Sequence, residues 1–258
     1  MNAFVGEDDE LNFNTATRVP VCLCVDLSGS MLVITDFSNA VKTERQEMID
    51  GKLCDIWEGG TCRLDELNAG LASFYKIIQN DEVASDAVEL AIVGFRDQPV
   101  ELQNFQSIYD AEPFLIGYDQ IGDMTNMDAG VNMALDLLEQ RKSQYKNAGR
   151  DYFQPWLIIM SDGEVDANSL SSQIRTKALE DQDKLVVSCF IVGNQSENAE
   201  QVLSGYSNRV KPRKIENGSL EVLFRWIGQS VVKVSNSKPE DKETYSFDDL
   251  DKIFNGTI

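Results

Sequence analysis

The sequence predicts an α/β protein built on a doubly wound, mostly parallel sheet flanked by helices. Three observations carry that prediction. Four apolar runs have strand length and no inside–outside alternation: Val21–Val25, Val88–Phe95 (VELAIVGF), Pro155–Met160 (PWLIIM) and Leu185–Val192 (LVVSCFIV). Runs of this kind mark strands buried on both faces, the usual state in parallel sheets. Segments with apolar residues at helical spacing lie between them, and the runs end in turns rich in Gly, Asp and Ser, the alternation of the doubly wound class.

Each element follows from local pattern. Residues 1–17 are polar and acidic and read as an N-terminal arm. The first strand, Val19–Val25, breaks into Asp26-Leu27-Ser28-Gly29-Ser30. Phe37, Val41, Met48, Ile49, Leu53 and Ile56 recur at helical spacing and predict a helix over Phe37–Trp57, ended by Gly59-Gly60. A cleaner stripe of Leu64, Leu67, Leu71, Phe74, Tyr75 and Ile78 predicts a helix over 64–79. After the strand Val88–Phe95, the segments Glu101–Phe105 and Phe114–Tyr118 read as short strands. The loop DQIGDMTNMDAG then opens a helix from Met127 to Leu138 or on to Tyr145. Further helices are expected over 168–180, 195–205 and 220–233, the last capped by Ser219, with a weak edge strand at Val210–Ile215. The charged tail, 235–258, carries Pro239 and ends in an amphipathic stretch, YSFDDLDKIF; it reads as a linker plus a small docking element, onto its own domain or onto a partner.

Composition narrows the function. The 258 residues include 43 acidic and 23 basic ones, a formal charge of −20. That argues against nucleic acid or an anionic membrane as partner, because both require a basic surface. The absence of histidine removes Ser-His and Cys-His catalysis and most zinc sites. Cys22 and Cys24 share one face of the first strand and cannot bond to each other, and Cys189 reads as a small buried hydrophobe. Cys54 and Cys62, in a polar region, are the pair that could bond or react. The start MNAFVGEDDE has no apolar core of a secretory signal, and no run reaches the roughly 20 residues of a membrane span, so a cytoplasmic protein is expected.

Three turns at strand ends are rich in oxygen ligands: Asp26, Ser28 and Ser30 after the first strand, Thr125 in GDMTN, and Asp162 in MSDGE. In an open α/β sheet such turns gather on one rim, where ligands bind. Two carboxylates and three hydroxyls, completed by water, can form the octahedral oxygen sphere of Mg²⁺, with Mn²⁺ also suited. Neutral hydroxyls would leave the ion electrophilic and ready to take a carboxylate from outside. Asp123 and Asp128 lie near Thr125, though Asp128 reads as a first-turn helix residue favoured by the helix dipole. Asp97 and Asp119 read as surface turns, Arg96 as a partner of a loop acid, and Glu164 as a solvated loop acid or an outer acceptor.

This set of motifs resembles the von Willebrand factor A (VWA) domain, a Rossmann-like fold, and within it the bacterial intracellular group of TerY-like and YegL-like proteins. The resemblance covers residues 18–234 and also rests on Leu67–Leu71 (LNAGL), Thr125-Asn126-Met127, Tyr152–Gly163 (YFQPWLIIMSDG) and the last helix, 220–230. It implies a metal-ion-dependent adhesion site in which Ser28, Ser30 and Thr125 contact Mg²⁺ directly while Asp26 and Asp162 act mainly through water. Two departures stand out. Residues 32–60 form an insertion where the family has a short link, and Ser161 and Glu164-Val165-Asp166 replace the family's usual Thr and Pro-Thr-Asp. The resemblance implies a Mg²⁺-dependent scaffold that takes an Asp or Glu carboxylate from a protein partner, in a tellurium-resistance-like stress or defence system. Two other readings stand beside it. A metal-dependent hydrolase or phosphotransferase would need Asp26 as nucleophile, without the Asp-x-Asp of a dehalogenase-type site or a P-loop lysine. A metal-free structural subunit would keep the fold and leave the site idle.

Overall fold

The computed structural model describes residues 14–49, 52–161, 170–193, 197–216 and 218–238. Its strands are β1 (Val19–Asp26), β2 (Ile34–Ile49), β3 (Lys52–Cys62), β4 (Val88–Phe95), β5 (Pro99–Ser107), β6 (Trp156–Ser161), β7 (Val186–Val192) and β8 (Arg213–Ile215). Six of them form the main sheet, in the order β5-β4-β1-β6-β7-β8. All neighbours there pair in parallel except β4 with the edge strand β5. β1 is central: the chain first builds outward to β4 and β5, then crosses back to β6 on the other side. The rim between the carboxyl ends of β1 and β6 is therefore the topological switch point, where doubly wound sheets bind ligands.

The doubly buried strands place one core on each face. Val19, Val21, Leu23 and Val25 of β1 point to the layer of α1 (Arg63–Gln79), α2 (Glu82–Ala87) and α6 (Leu220–Ser235). Cys22 and Cys24 point the other way, to α3 (Met127–Asn147) and α5 (Glu197–Leu203), where Cys189 also lies. The remaining helix, α4, spans Leu170–Asp181. The three cysteines are fully buried free thiols, which burial pushes well above the ordinary thiol range. No described helix is long and apolar enough to cross a membrane.

α1 and α6 approach closely because Gly70 presents no side chain. A Cβ built there would fall 2.3 Å from the ring of Phe224, itself fully buried. Gly70→Ala is expected to destabilise the protein by about 1–2 kcal/mol, since overpacking outweighs the gain in helix propensity. The urea midpoint measures this, and an unchanged or raised midpoint would show that the interface relaxes freely.

The structure overturns the helix expected over Phe37–Trp57. Residues on both sides of Asp50-Gly51 form a long antiparallel hairpin, β2 with β3, in a sheet of its own. Its apolar residues recur at helical spacing, but they serve no helix face. Phe37 stacks edge-on against Trp57 across the strands at 5.1 Å, and Val41 is 68% exposed. Gly59 and Gly60 sit at φ +79° and +83° within the paired strand, next to register shifts, so they bend a ribbon and do not end a helix. The missed signal is Asp50-Gly51 itself, a residue pair favoured in two-residue hairpin connections, and Ile49 pairs with Lys52 across it.

The hairpin also separates Cys54 from Cys62, the pair that the sequence left able to bond. Cys54 is in register with Glu47 and Cys62 with Ile34, eight residues further along β3 and so on the order of 26 Å away. Cys62 is a buried free thiol at the cap of α1, where its backbone amide donates to Asp65 Oδ2 at 2.9 Å.

Where a strand was expected over Phe114–Tyr118, residues 114–117 are a loop and a short 3-10 turn follows at Tyr118–Gln120. The reason is local. The Asn68 amide on α1 occupies both backbone groups of Ile116, donating to its carbonyl at 3.0 Å and accepting from its N–H at 2.9 Å. A side chain thus supplies the bonds that a neighbouring strand would have made. The other expected helices and strands are present, with α3 running on to Asn147 and the weak edge strand reduced to Arg213–Ile215.

Candidate metal centre

The centre is built from the carboxyl end of β1. Asp26 is its last residue, 1% exposed, in register beside β4 on one side and next to the end of β6 on the other. A buried carboxylate needs its oxygens satisfied. Oδ1 accepts the Ser28 N–H at 2.9 Å, which turns the chain sharply after the strand. Oδ2 accepts the Ser161 hydroxyl at 2.8 Å across the β1–β6 seam. Ser161 is the last residue of β6 and is fully buried, so its hydroxyl is committed to fixing the rotamer of Asp26.

Beyond Asp26 the chain makes a 3-10 turn over Gly29–Leu32. This folds Ser30 back over Ser28, with the two Oγ atoms 2.8 Å apart. Oxygens at that spacing match adjacent corners of an octahedron with metal–oxygen bonds of about 2.1 Å, whose edge is roughly 3 Å. The backbone of Ser30 is held from below by the Arg63 guanidinium, which donates to its carbonyl at 3.2 Å. Asp26, Ser28 and Ser30 therefore meet as one cluster.

The loop carrying Thr125 is brought alongside. Gly122 donates to the Leu27 carbonyl at 2.8 Å and bridges to Ser28, while Asn126 donates to the Arg96 carbonyl at 2.9 Å. Thr125, half-buried, lies between these two anchors and directly precedes Asn126, the cap of α3, whose side chain accepts from Ala129. Further bonds hold the same loop. Arg96 donates to the Gln120 carbonyl at 2.9 Å, Asp97 accepts from the Met124 amide at 2.9 Å, and Tyr118 donates to Asp65 Oδ1 at 2.5 Å. Arg96 thus grips loop backbone where a loop acid was expected as its partner. Asp97 is a tether of the site loop, beyond the surface-turn role expected of it.

Asp162 and Glu164 lie outside the described residues. Among the described residues no three of His, Cys, Asp and Glu gather as a metal site.

Asp128 is turned away from this cluster. It sits in the first turn of α3, as expected, but its carboxylate serves α4: Oδ2 accepts the Ser171 hydroxyl at 2.7 Å and Oδ1 the Ser172 N–H at 2.8 Å. Burial opposes its charge, yet these donors prevail and hold the carboxyl below its ordinary range. A folded-state pKa depressed in this way stabilises the protein above the unfolded value near 4, and the gain is lost as pH falls through the folded one. Asp128→Asn is expected to cost about 1 kcal/mol at pH 7, after allowance for solvent screening, and almost nothing at pH 3. Paired urea curves at the two pH values check this; an equal cost at both would place the effect in packing instead of charge.

Several solved structures share the architecture. BatB from Bacteroides thetaiotaomicron superposes with a TM-score of 0.52 at 14% identity, over 85% of this chain and 100% of that one. The pilus adhesin SpaC from Lactobacillus rhamnosus GG gives 0.55 at 12%, over 85% of this chain and 31% of the adhesin. The PilB minor pilin from Streptococcus sanguinis gives 0.50 at 11%, over 85% and 62%. The chain thus spans about a third of the adhesin and less than two thirds of the pilin. No family model matches the sequence, and no curated protein matches it significantly. At these identities the likeness bears on the fold, and the fold is of the von Willebrand factor A type.

Proposed function

We propose that this chain is a non-enzymatic, Mg²⁺-dependent protein-binding module. Ser28, Ser30 and Thr125 ligate the cation directly, Asp26 and Asp162 hold it through water, and an Asp or Glu side chain of a protein partner fills the remaining position. Mn²⁺ substitutes in the same oxygen sphere. One observation carries the reading: two hydroxyls at the spacing of an octahedral edge stand beside a buried carboxylate at the switch point of the sheet. The bound ion would reverse the local field of an acidic protein and admit a carboxylate that the rest of the surface repels. A partner with basic surface around that carboxylate fits best. A fold shared with a pilus adhesin and a minor pilin is in keeping with a binding role.

The hairpin β2–β3 adds selectivity in this proposal. It leaves the site loop within four residues of Ser30 and exposes Phe37, Val41 and Trp57. These supply apolar contacts beside the ion. The TerY-like grouping and a tellurium-resistance-like stress or defence role rest on the motif resemblance alone, and a cytoplasmic setting is carried from the sequence expectation. The hydrolase reading fares worse, because Asp26 is buried with both oxygens already accepting hydrogen bonds and is poorly placed to attack a substrate.

The test is capture of partner proteins from native lysate in Mg²⁺ or in EDTA, with the full chain and with Ser28→Ala, Ser30→Ala. A partner retained only with Mg²⁺ and intact hydroxyls is the expected result. A partner held equally by every sample would move the interface off the metal and leave the centre structural.

A further inference from the structure

At the amino ends of β6, β7 and β8, on the rim opposite the metal centre, lies a groove of about 1320 Å³. Its charge is out of keeping with the rest of the chain. Lys142, Lys146, Lys184, Arg209, Lys211 and Arg213 all line it, in a protein whose formal charge is −20. The acidic residues that line it are engaged within the fold. Glu139 pairs with Arg175 at 3.2 Å, Glu180 accepts from Ser207 and Asn208 at 2.6 and 2.8 Å, and Asp183 pairs with Arg209 at 2.8 Å, which engages one of the six cations. The Lys142 ammonium is pushed below its ordinary range by burial and by the neighbouring Lys146, Lys184 and Arg175 charges, against the pull of Glu139. Tyr152, Val186 and Val210, each partly exposed, give the same groove apolar surface, backed by the buried Trp156, Leu185, Pro212 and Val234.

The chain delivers a complementary segment to this place. α6 ends at Ser235, and Ser237 itself lines the groove. From Pro239 the sequence continues PEDKETYSFDDLDKIFNGTI, with Asp248, Asp249 and Asp251 set among Tyr245, Phe247, Leu250 and Phe254. We propose that residues 239–258 of this chain occupy the groove, their carboxylates on its lysines and arginines and their aromatic side chains on its apolar wall. Tethering favours this occupant over any free acidic partner. A segment attached at the mouth of its site has an effective concentration on the order of a millimolar, so even a weak contact is well populated. Because the groove is remote from Asp26 and Ser28, the docked tail leaves the metal centre open. A partner presenting a basic surface, of the kind proposed for that centre, could draw the acidic tail off the groove.

Hydrogen–deuterium exchange on the full chain tests this, with a synthetic peptide of residues 238–258 as the reference for an undocked tail. In about 50 mM salt the tail amides are expected to exchange about tenfold more slowly than the peptide. Two variants should each restore the peptide rate: Lys142→Glu, Lys184→Glu, Lys211→Glu in the groove, and Asp248→Lys, Asp249→Lys, Asp251→Lys in the tail. The tail variant touches no described part of the fold, so a folding defect in the groove variant does not leave the result open. Salt at about 0.5 M should act as the variants do, because it screens these contacts. Three results would overturn the proposal: a wild-type tail that exchanges like the peptide, protection that survives the tail variant, or protection that grows with protein concentration, which would assign the groove to the tail of a second copy.

Discussion

Glu89→Ala is expected to lower the unfolding free energy by about 3–5 kcal/mol, a large share of the roughly 5–15 kcal/mol that holds a domain folded. Glu89 is the second residue of β4, fully buried, at the end of the sheet opposite the candidate metal centre. Arg141 of α3 donates to its Oε2 at 2.7 Å, Tyr145 donates to the same oxygen, and Arg18 stands 3.6 Å from Oε1. Arg18 and Arg141 are themselves 0% and 4% exposed. Removing the one carboxylate leaves two guanidinium groups in the core without a counter-charge, and desolvation then dominates. Glu89→Gln keeps the shape and part of the hydrogen bonding, so it should cost less. Urea unfolding followed by far-ultraviolet circular dichroism measures both. A loss of under about 1 kcal/mol for the alanine variant would mean that water reaches the cluster and solvates the arginines. The folded fraction of either variant should still bind at the distant centre, which separates this role from the site.

The cluster also shows what a single sequence conceals. The four strands were legible because burial on both faces forces an unbroken apolar run, and nothing else of that length has the same pattern. Cys22, Cys24 and Cys189 could be placed in the core for the same reason. α1 and α3 were legible from their stripes. The hairpin was not, because a ribbon standing off the core has no buried face to impose alternation; Phe37 and Trp57 need only each other. The candidate site residues, Thr125 included, were named from their motifs, but only some of their placements follow from local sequence. Asp26, Ser28 and Ser30 come together because a strand end and one tight turn suffice to place them. The position of Thr125 depends on a loop whose anchors are long-range pairs, Gly122 with Leu27 and Asn126 with Arg96, supported by Asp65 with Tyr118, and partners so far apart leave no periodic trace. Arg18 and Glu89 were equally hidden, since neither interrupts its strand in a way that differs from an exposed charge.

The second large effect concerns the ion. On the proposed reading, Mg²⁺ at about 100 times its dissociation constant should add about 2.7 kcal/mol by binding to the folded state alone, a rise in Tm of roughly 5–10 °C for a chain of this size. Asp26→Asn should abolish that rise. The amide keeps the volume of the carboxylate and can still accept from the Ser28 N–H, so the turn survives, but the buried negative charge proposed to draw the cation is gone. The acidity of the protein demands a control, because any divalent salt relieves the self-repulsion of a chain at −20. That general effect acts on wild type and variant alike, and NaCl at matched ionic strength gives its size. The difference between the two proteins in Mg²⁺, beyond their difference in NaCl, reports the centre. Equal Mg²⁺ responses would mean that the cation binds elsewhere on the acidic surface. The Ser28–Ser30 pair would then be an ordinary hydrogen bond closing a turn, and the fold would stand without the ion.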